Sequence, residues 1–212
     1  MREAVIVSAA RTAIGRAKKG SLRDTRPEYF ASKMLEGLVE RTPGLEKKMV
    51  DDIVLGCAMP EGEQGMNVAR LIGLAAGFPT EVPAMTVNRF CCSGSQTIAL
   101  ASDTIRAGNG DIIIAGGVES MSMVAMGGNK PIAYPGLMDT LPNAYAAMGT
   151  TAEVVAKRFG ITREMQDEFA YQSNMKASAA LESGKFADEI VPLDVRVREN
   201  GSWREFVFDT DE

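Results

Sequence analysis

The sequence predicts an α/β fold built on a largely parallel sheet, and three observations predict it. Short continuous apolar runs recur at 4–10, 52–58, 84–87 and 111–118, each the length of a strand covered on both faces. Between them lie segments over 27–41, 67–76 and 93–108 whose apolar residues repeat at helical spacing. Parallel strands need a crossover long enough to hold a helix, so this alternation favours parallel pairing. Last, the stretch Val87 to Ile98 passes from apolar and β-prone, through small polar residues, to helical spacing. That is the pattern of a strand, a sharp turn and a helix.

In chain order, Ala4 to Ala10 reads as a first buried strand. Arg11 to Ser21 is a loop holding Arg11, Arg16, Lys18 and Lys19, open either to a phosphate or simply to water. Pro27 suits the first turn of a helix that runs to Arg41, with Phe30, Met34, Leu35 and Leu38 on one face. Asp52 to Ala58 is a second buried strand containing Cys57, which reads as structural. Asn67 to Ala76 is a short helix, and Gln64 and Asn67 are candidates to face a neighbouring subunit. The strand over 84–87 then leads through Cys91 into a helix ending near Gly108, and 111–118 is a further buried strand.

Gly116 to Met123 follows at a strand end, where open α/β sheets place their ligands. It lacks the GxGxxG spacing of a dinucleotide site. Met121, Met123, Met126, Met138 and Met148 either line an apolar slot or fill a core. Gly127 to Ala147, rich in Gly, Pro and Asn, reads as a long ordered excursion without period. Thr151 to Arg158 reads as a helix capped by Thr150 or Thr151, and Thr162 caps another that ends at Gly184. Strands at 189–193, 194–198 and 203–208 follow, the last two joined by an Asn200-Gly201 turn.

Composition excludes several classes. The net charge of −5 gives no general basic field for nucleic acid or an acidic membrane. No apolar stretch is long enough to span a bilayer, and the start carries no cleavable leader pattern, so a cytoplasmic location is expected. The 3 cysteines, Cys57, Cys91 and Cys92, are a poor disulfide framework and fit a reducing compartment. With 0 His and no CxxC spacing, no metal site is expected. The same count rules out a Cys-His pair within these 212 residues.

Cys91 falls where the turn meets the helix. Free backbone N–H groups and the positive end of a helix dipole favour a thiolate there, and the same N–H groups suit an oxyanion. The small residues Ser93, Gly94 and Ser95 allow close approach of a substrate. Cys91 is therefore a candidate nucleophile, set against the commoner role of a cysteine as a small buried hydrophobe.

Five collinear strings resemble one family. Val5 to Gly15 resembles the thiolase N-terminus, and Val87-Asn88-Arg89-Phe90-Cys91-Cys92-Ser93-Gly94 resembles the thiolase nucleophile motif. Ala115 to Ser122, Met148 to Glu153 and Asp188 to Pro192 match further strings of that family. The resemblance spans the chain and implies a thiolase-like N-terminal half at 1–118. Its mainly parallel mixed sheet would carry helices on both faces, with a partial α+β loop domain at 119–212.

The resemblance also implies chemistry. Thiolases cleave 3-oxoacyl-CoA with a second CoA, or condense two acyl-CoA molecules, through an acyl thioester on a cysteine. Cys91 matches that nucleophile, and Cys92 stands where the family has a small residue and reads as structural. Leu137 and Met148 match positions lining the acyl and pantetheine pocket, or else are core residues. Acyl-CoA and CoA are the implied partners; CoA is a substrate and no cofactor is expected. The activating His and the second Cys of the family have no counterpart here, which implies a chain inactive alone. Ala147 replaces a His typical of short-chain biosynthetic members, pointing to a degradative, broader-range enzyme. A homodimer or tetramer is implied, with the Val87 strand near one contact and Gly127 to Gly136 near another. Two other readings are a non-catalytic scaffold needing a partner that supplies His and Cys, and a decarboxylating condensing enzyme.

Overall fold

In a computed structural model the protein is described over residues 2–212. By its contacts the chain forms two units, Met1–Asn129 with Ala187–Glu212, and Lys130–Phe186.

The first unit is organised on a three-stranded parallel sheet. Helix α1 (Pro27–Glu40) precedes strand β1 (Asp52–Gly56); helix α2 (Val68–Ala75) then leads to β2 (Ala84–Val87). Helix α3 (Ser93–Ala107) leads to β3 (Ile113–Gly117). The order is β2-β1-β3, with Ile53 opposite Ala84 on one side and Ile114 on the other. Ile53, Val54 and Leu55 of the central strand are all buried, as an apolar run covered on both faces requires.

The two covering helices lie on opposite faces. A Cβ on Gly73 of α2 would meet Ile53 Cδ1 at 3.0 Å, whereas one on Gly56 would meet Ser93 Cβ of α3 at 2.6 Å. Ile53 and Gly56 are three residues apart, so their side-chain positions point to opposite faces. Thr97, fully buried, donates its hydroxyl to Gly116 O at 3.0 Å and fixes α3 against β3. Asn67 caps α2: its side chain accepts from Arg70 N–H and from the Thr86 hydroxyl and donates to Ala84 O. Helix and strand β2 are thereby tied together.

The expected buried strand at 4–10 is not one. Residues 2–10 run without a ladder, and Val5, Ile6 and Val7 are 69%, 79% and 79% exposed. Apolar composition is only half of what a strand needs; the other half is a neighbour for its backbone. The one ladder partner of β3 among the described residues is β1, and a groove of about 610 Å³ lies between residues 4–12 and β3. Met34 and Leu38 of α1 and Ile105 of α3 line it. The first regular contact of this segment is a bridge from Arg11 to Ile190.

The end of the chain closes the loop that follows. Arg11 makes a double hydrogen bond to Asp211, at 2.7 and 2.8 Å, and bonds Glu189 at 2.6 Å. Asp211 also accepts the Ile14 N–H, and Glu212 accepts the N–H groups of Arg16 and Ser21 and the Ser21 hydroxyl. The basic loop at 11–21 is thus held by this chain's own carboxylates. Hydrogen bonding from Arg11 holds the Asp211 carboxyl below its ordinary range; for Glu212 burial works the other way, but its N–H and hydroxyl donors prevail.

Strands β4 (Leu193–Glu199) and β5 (Ser202–Phe208) form an antiparallel ribbon around Asn200 and Gly201, at φ 49° and 84°. Two successive positive φ values define the tight turn that an Asn-Gly pair favours. Leu193, Val195 and Val197 alternate inward. The ribbon docks on α1 through Tyr29, which donates to Asp194 O, and on the segment before α1 through Asp24, which accepts Arg198 N–H.

In labelling order α4 (Pro135–Thr140), α5 (Met148–Phe159) and α6 (Arg163–Glu182) fall between β3 and β4 and make up the second unit. Helix α4 lies inside the stretch expected to be aperiodic. Helix α5 begins at Met148, capped by the backbone at Ala147 rather than by Thr150 or Thr151. Thr162 caps α6 as its sequence predicts, accepting the Met165 N–H.

Three substitutions test these contacts. Gly56→Ala places a methyl group against Ser93 backbone and Gly94 N at 2.7 and 2.9 Å and should lower stability in urea by about 2–3 kcal/mol. Gly94→Ala, in open space on a helix, should instead raise it by roughly 0.5 kcal/mol. Asp211→Asn should cost about 1–2 kcal/mol at pH 7. Because the folded-state pKa of Asp211 is depressed, its contribution is present above about pH 4 and is lost as pH falls through the folded value. The Asn variant should therefore show a shallower loss of stability in urea titrations below pH 4 than the parent.

Candidate active site

Cys91 sits on a single 3-10 turn, Phe90–Cys92, between β2 and α3, at the carboxyl end of the sheet. The turn exists because α3 begins almost on top of β1. With no side chain at Gly56, Ser93 packs there at 3% exposure. Its hydroxyl accepts the Arg89 N–H at 2.9 Å and donates to Phe90 O at 2.6 Å. Gly117, at the end of β3, lies beside this contact: a Cβ there would sit 3.3 Å from Gly56 O and 3.9 Å from Gly94 Cα of α3. Small residues at three strand and helix ends thus bring the start of α3 down to the sheet and leave the Cys91 side chain in solvent.

The remaining sides of the turn are held by side chains. Asn88 accepts the Phe90 N–H at 2.8 Å and donates to Ala58 O at 3.1 Å. Cys92 is exposed, and its Sγ donates to Arg89 O at 3.0 Å, so it is bonded into the turn. The first N–H groups of α3 lack partners within the helix by its geometry, and they bring the positive end of the dipole to this point.

Behind the turn lies a polar clamp. Glu119, just past β3, accepts from Ala58 N–H at 2.6 Å, Met59 N–H at 3.3 Å and Gln64 Nε2 at 2.7 Å. Gln64 is fully buried, and its Oε1 accepts the Ser120 N–H. Gln64 therefore packs within its own chain rather than toward a neighbouring subunit. Cys57 lies beside this clamp at 1% exposure, immediately after β1. Burial, reinforced by the Glu119 charge, pushes its thiol up to about 11, so it is protonated and inert at neutral pH.

Leu137 and Met148 belong to the second unit, and Cys91 to the first. Leu137 is half-buried in α4 and hydrogen-bonds through its N–H to Tyr134 O; Met148 opens α5 and is 64% exposed. Among the described residues no three His, Cys, Asp or Glu side chains converge to hold a metal ion. Asn88 and Glu119 lie in strings that resemble the thiolase family and Gln64 is expected at a neighbouring subunit, but the contacts these three make carry no signal in the sequence. Their partners are distant in the chain.

Comparison with known proteins places this architecture. The family model described as "Thiolase, N-terminal domain" matches residues 4–212. A 3-ketoacyl-CoA thiolase of Bacillus subtilis is 49% identical over 217 aligned residues, covering 100% of this chain and 55% of the relative. Another from Aeromonas hydrophila is 41% identical, covering 100% and 54%. The crystal structure of the Bacillus anthracis acetyl-CoA acetyltransferase superposes with a TM-score of 0.80 at 35% identity, over 99% of this chain and 55% of that one. The chain spans about half the length of these relatives. With its parallel sheet, its cysteine turn at the carboxyl strand ends and a match over residues 4–212, the chain belongs to the thiolase family, within that family's N-terminal domain.

Proposed function

We propose that this chain supplies the nucleophile of a thiolase-type acyl-CoA acyltransferase, with Cys91 as the attacking group. The observation that carries this reading is the exposed Cys91 on the turn at the start of α3, in the string that resembles the thiolase nucleophile motif. The Cys91 sulfur attacks the 3-carbonyl carbon of a 3-oxoacyl-CoA, and a carbon–sulfur bond forms. The bond from that carbon to the α-carbon breaks, and the electron pair left on the α-carbon takes a proton, releasing acetyl-CoA. The thiol of a second CoA gives up its proton, attacks the acyl thioester and leaves with the acyl group, restoring Cys91. Condensation of two acyl-CoA molecules is the reverse. In this reading backbone N–H groups of the first turn of α3 stabilise the oxyanion of each attack, that of Ser93 being taken already by Phe90 O.

The α-carbon needs an acid to give it its proton and the CoA thiol needs a base to take one, and the 212 residues contain 0 His. This reading has the acid and base supplied by a further segment or a partner, with the helix dipole alone as the other source of activation, and the chain alone not a competent catalyst. The same count favours a second reading, a half-molecule that binds a partner carrying His and a second Cys. Leu137 and Met148 would line the acyl and pantetheine pocket, within a loop domain at 119–212 that follows a core domain at 1–118. The relatives' names and Ala147 favour a 3-oxoacyl-CoA substrate of broad chain length, with CoA as substrate rather than cofactor. A homodimer or tetramer is supported by the outer edge of β2, which has no ladder partner among the described residues. A cytoplasmic location is kept; no described helix is long and apolar enough to cross a membrane. The net charge of −5 argues against nucleic acid as a partner.

Two measurements test this. The purified chain should show no CoA-dependent thiolysis of acetoacetyl-CoA above a Cys91→Ser control; turnover lost in that control would keep Cys91 and overturn the external base. Brief iodoacetamide treatment of the native chain, read by peptide mass spectrometry, should label Cys91 and Cys92 and spare Cys57 until urea is added. Labelling of Cys57 ahead of Cys91 would overturn the assignment of the nucleophile.

A further inference from the structure

Phe90 immediately precedes Cys91 and has φ 49°, in the left-handed region that side chains with a Cβ avoid. The residue is 63% exposed, so burial does not hold it there. Its backbone must be kept in place by hydrogen bonds, and two side chains make them. On the inner side Ser93, wedged over Gly56, takes the Phe90 carbonyl and the Arg89 N–H. On the outer side Asn88 takes the Phe90 N–H with Oδ1 and reaches Ala58 O with Nδ2.

We infer that Asn88 is a positioning residue for Cys91, holding the strained Phe90 backbone so that the thiol stands clear at the start of α3. Both ends of its amide are in use. The acceptor fixes the amide next to the nucleophile; the donor ties it to Ala58, whose own N–H is gripped by Glu119 at 2.6 Å. The path from the end of β3 to the cysteine is therefore continuous: Glu119 to Ala58 N–H, Ala58 O to Asn88, and Asn88 to Phe90 N–H. Asn88 is exposed, so removing its amide opens no hole in the core. A strained backbone at a reactive residue persists only where its surroundings over-determine it, and here Asn88 is the half of that restraint not buried in the packing.

As a role in catalysis this presupposes the nucleophile proposed above, but it can be read without acyl transfer. The probe is the rate of Cys91 alkylation by iodoacetamide in the full chain, with fold checked by the urea midpoint. Asn88→Ala should slow Cys91 alkylation about fivefold while shifting the urea midpoint little. Phe90→Gly makes the left-handed conformation free of strain, so the double variant Asn88→Ala with Phe90→Gly should react at the rate of Phe90→Gly alone. Asn88→Ser, whose hydroxyl can accept the N–H two residues on, should keep most of the parent rate. An unchanged rate in Asn88→Ala, or multiplicative effects in the double variant, would overturn the assignment. If Asn88→Ala does not fold, the Ser variant decides: a rate as low as that of the unstructured turn in urea would sink it. Should these rates behave as expected while acetyl-CoA leaves no thioester on Cys91, the acyl-transfer reading fails and the positioning of the thiol stands.

Discussion

The start of α3 rests directly on the end of β1, with nothing but the bare backbone of Gly56 between them. A single methyl group there would sit 2.6 Å from Ser93 Cβ. Most of what distinguishes this unit depends on that contact. It sets the height at which Thr97 meets Gly116 O, and it turns the chain leaving β2 so sharply that Phe90 must take a positive φ. It also delivers the first turn of α3 to the carboxyl edge of the sheet, where a parallel sheet presents its ligand sites.

Three cysteines within one unit occupy three environments, and environment rather than residue type separates them. Cys57 is enclosed and faces the Glu119 carboxylate, so its proton is retained. Cys92 is bonded to the carbonyl of Arg89. Cys91 is exposed at the turn. Adjacent residues in the chain thus differ in surroundings because a tight turn sends successive side chains in different directions, whereas Cys57 is set apart by the packing of β1 between two helices.

What could be read from the sequence was what is written locally. The strand, turn and helix around Cys91, the Thr162 cap and the Asn200-Gly201 hairpin each depend on neighbours within a few residues, and each is present. Residues 4–10 carry the same apolar signal as β1, yet without a ladder partner they stay exposed, since hydrophobicity alone does not choose a neighbour. Helix α5 starts ahead of Thr150 and Thr151 because backbone geometry at Ala147 begins it without a side-chain cap. Gln64, Asn88 and Glu119 were the least legible, because the contacts of Gln64 with Glu119 and of Asn88 with Ala58 span 55 and 30 positions in the chain. The nucleophile proposed at Cys91 rests on the resemblance of five strings; the turn alone leaves an exposed cysteine at the start of a helix.

The closure of the basic loop by Asp211 and Glu212 sets an order of events during synthesis. Arg11 emerges early, but its carboxylate partner lies 200 residues downstream. At ordinary translation rates of about 5–20 residues per second, Arg11 waits roughly 10–40 s for it. During that interval the sheet β2-β1-β3, assembled from residues 52–117, can already form on the ribosome while the loop at 11–21 stays open. The loop at 11–21 therefore takes its final form only after Asp211 and Glu212 have been made.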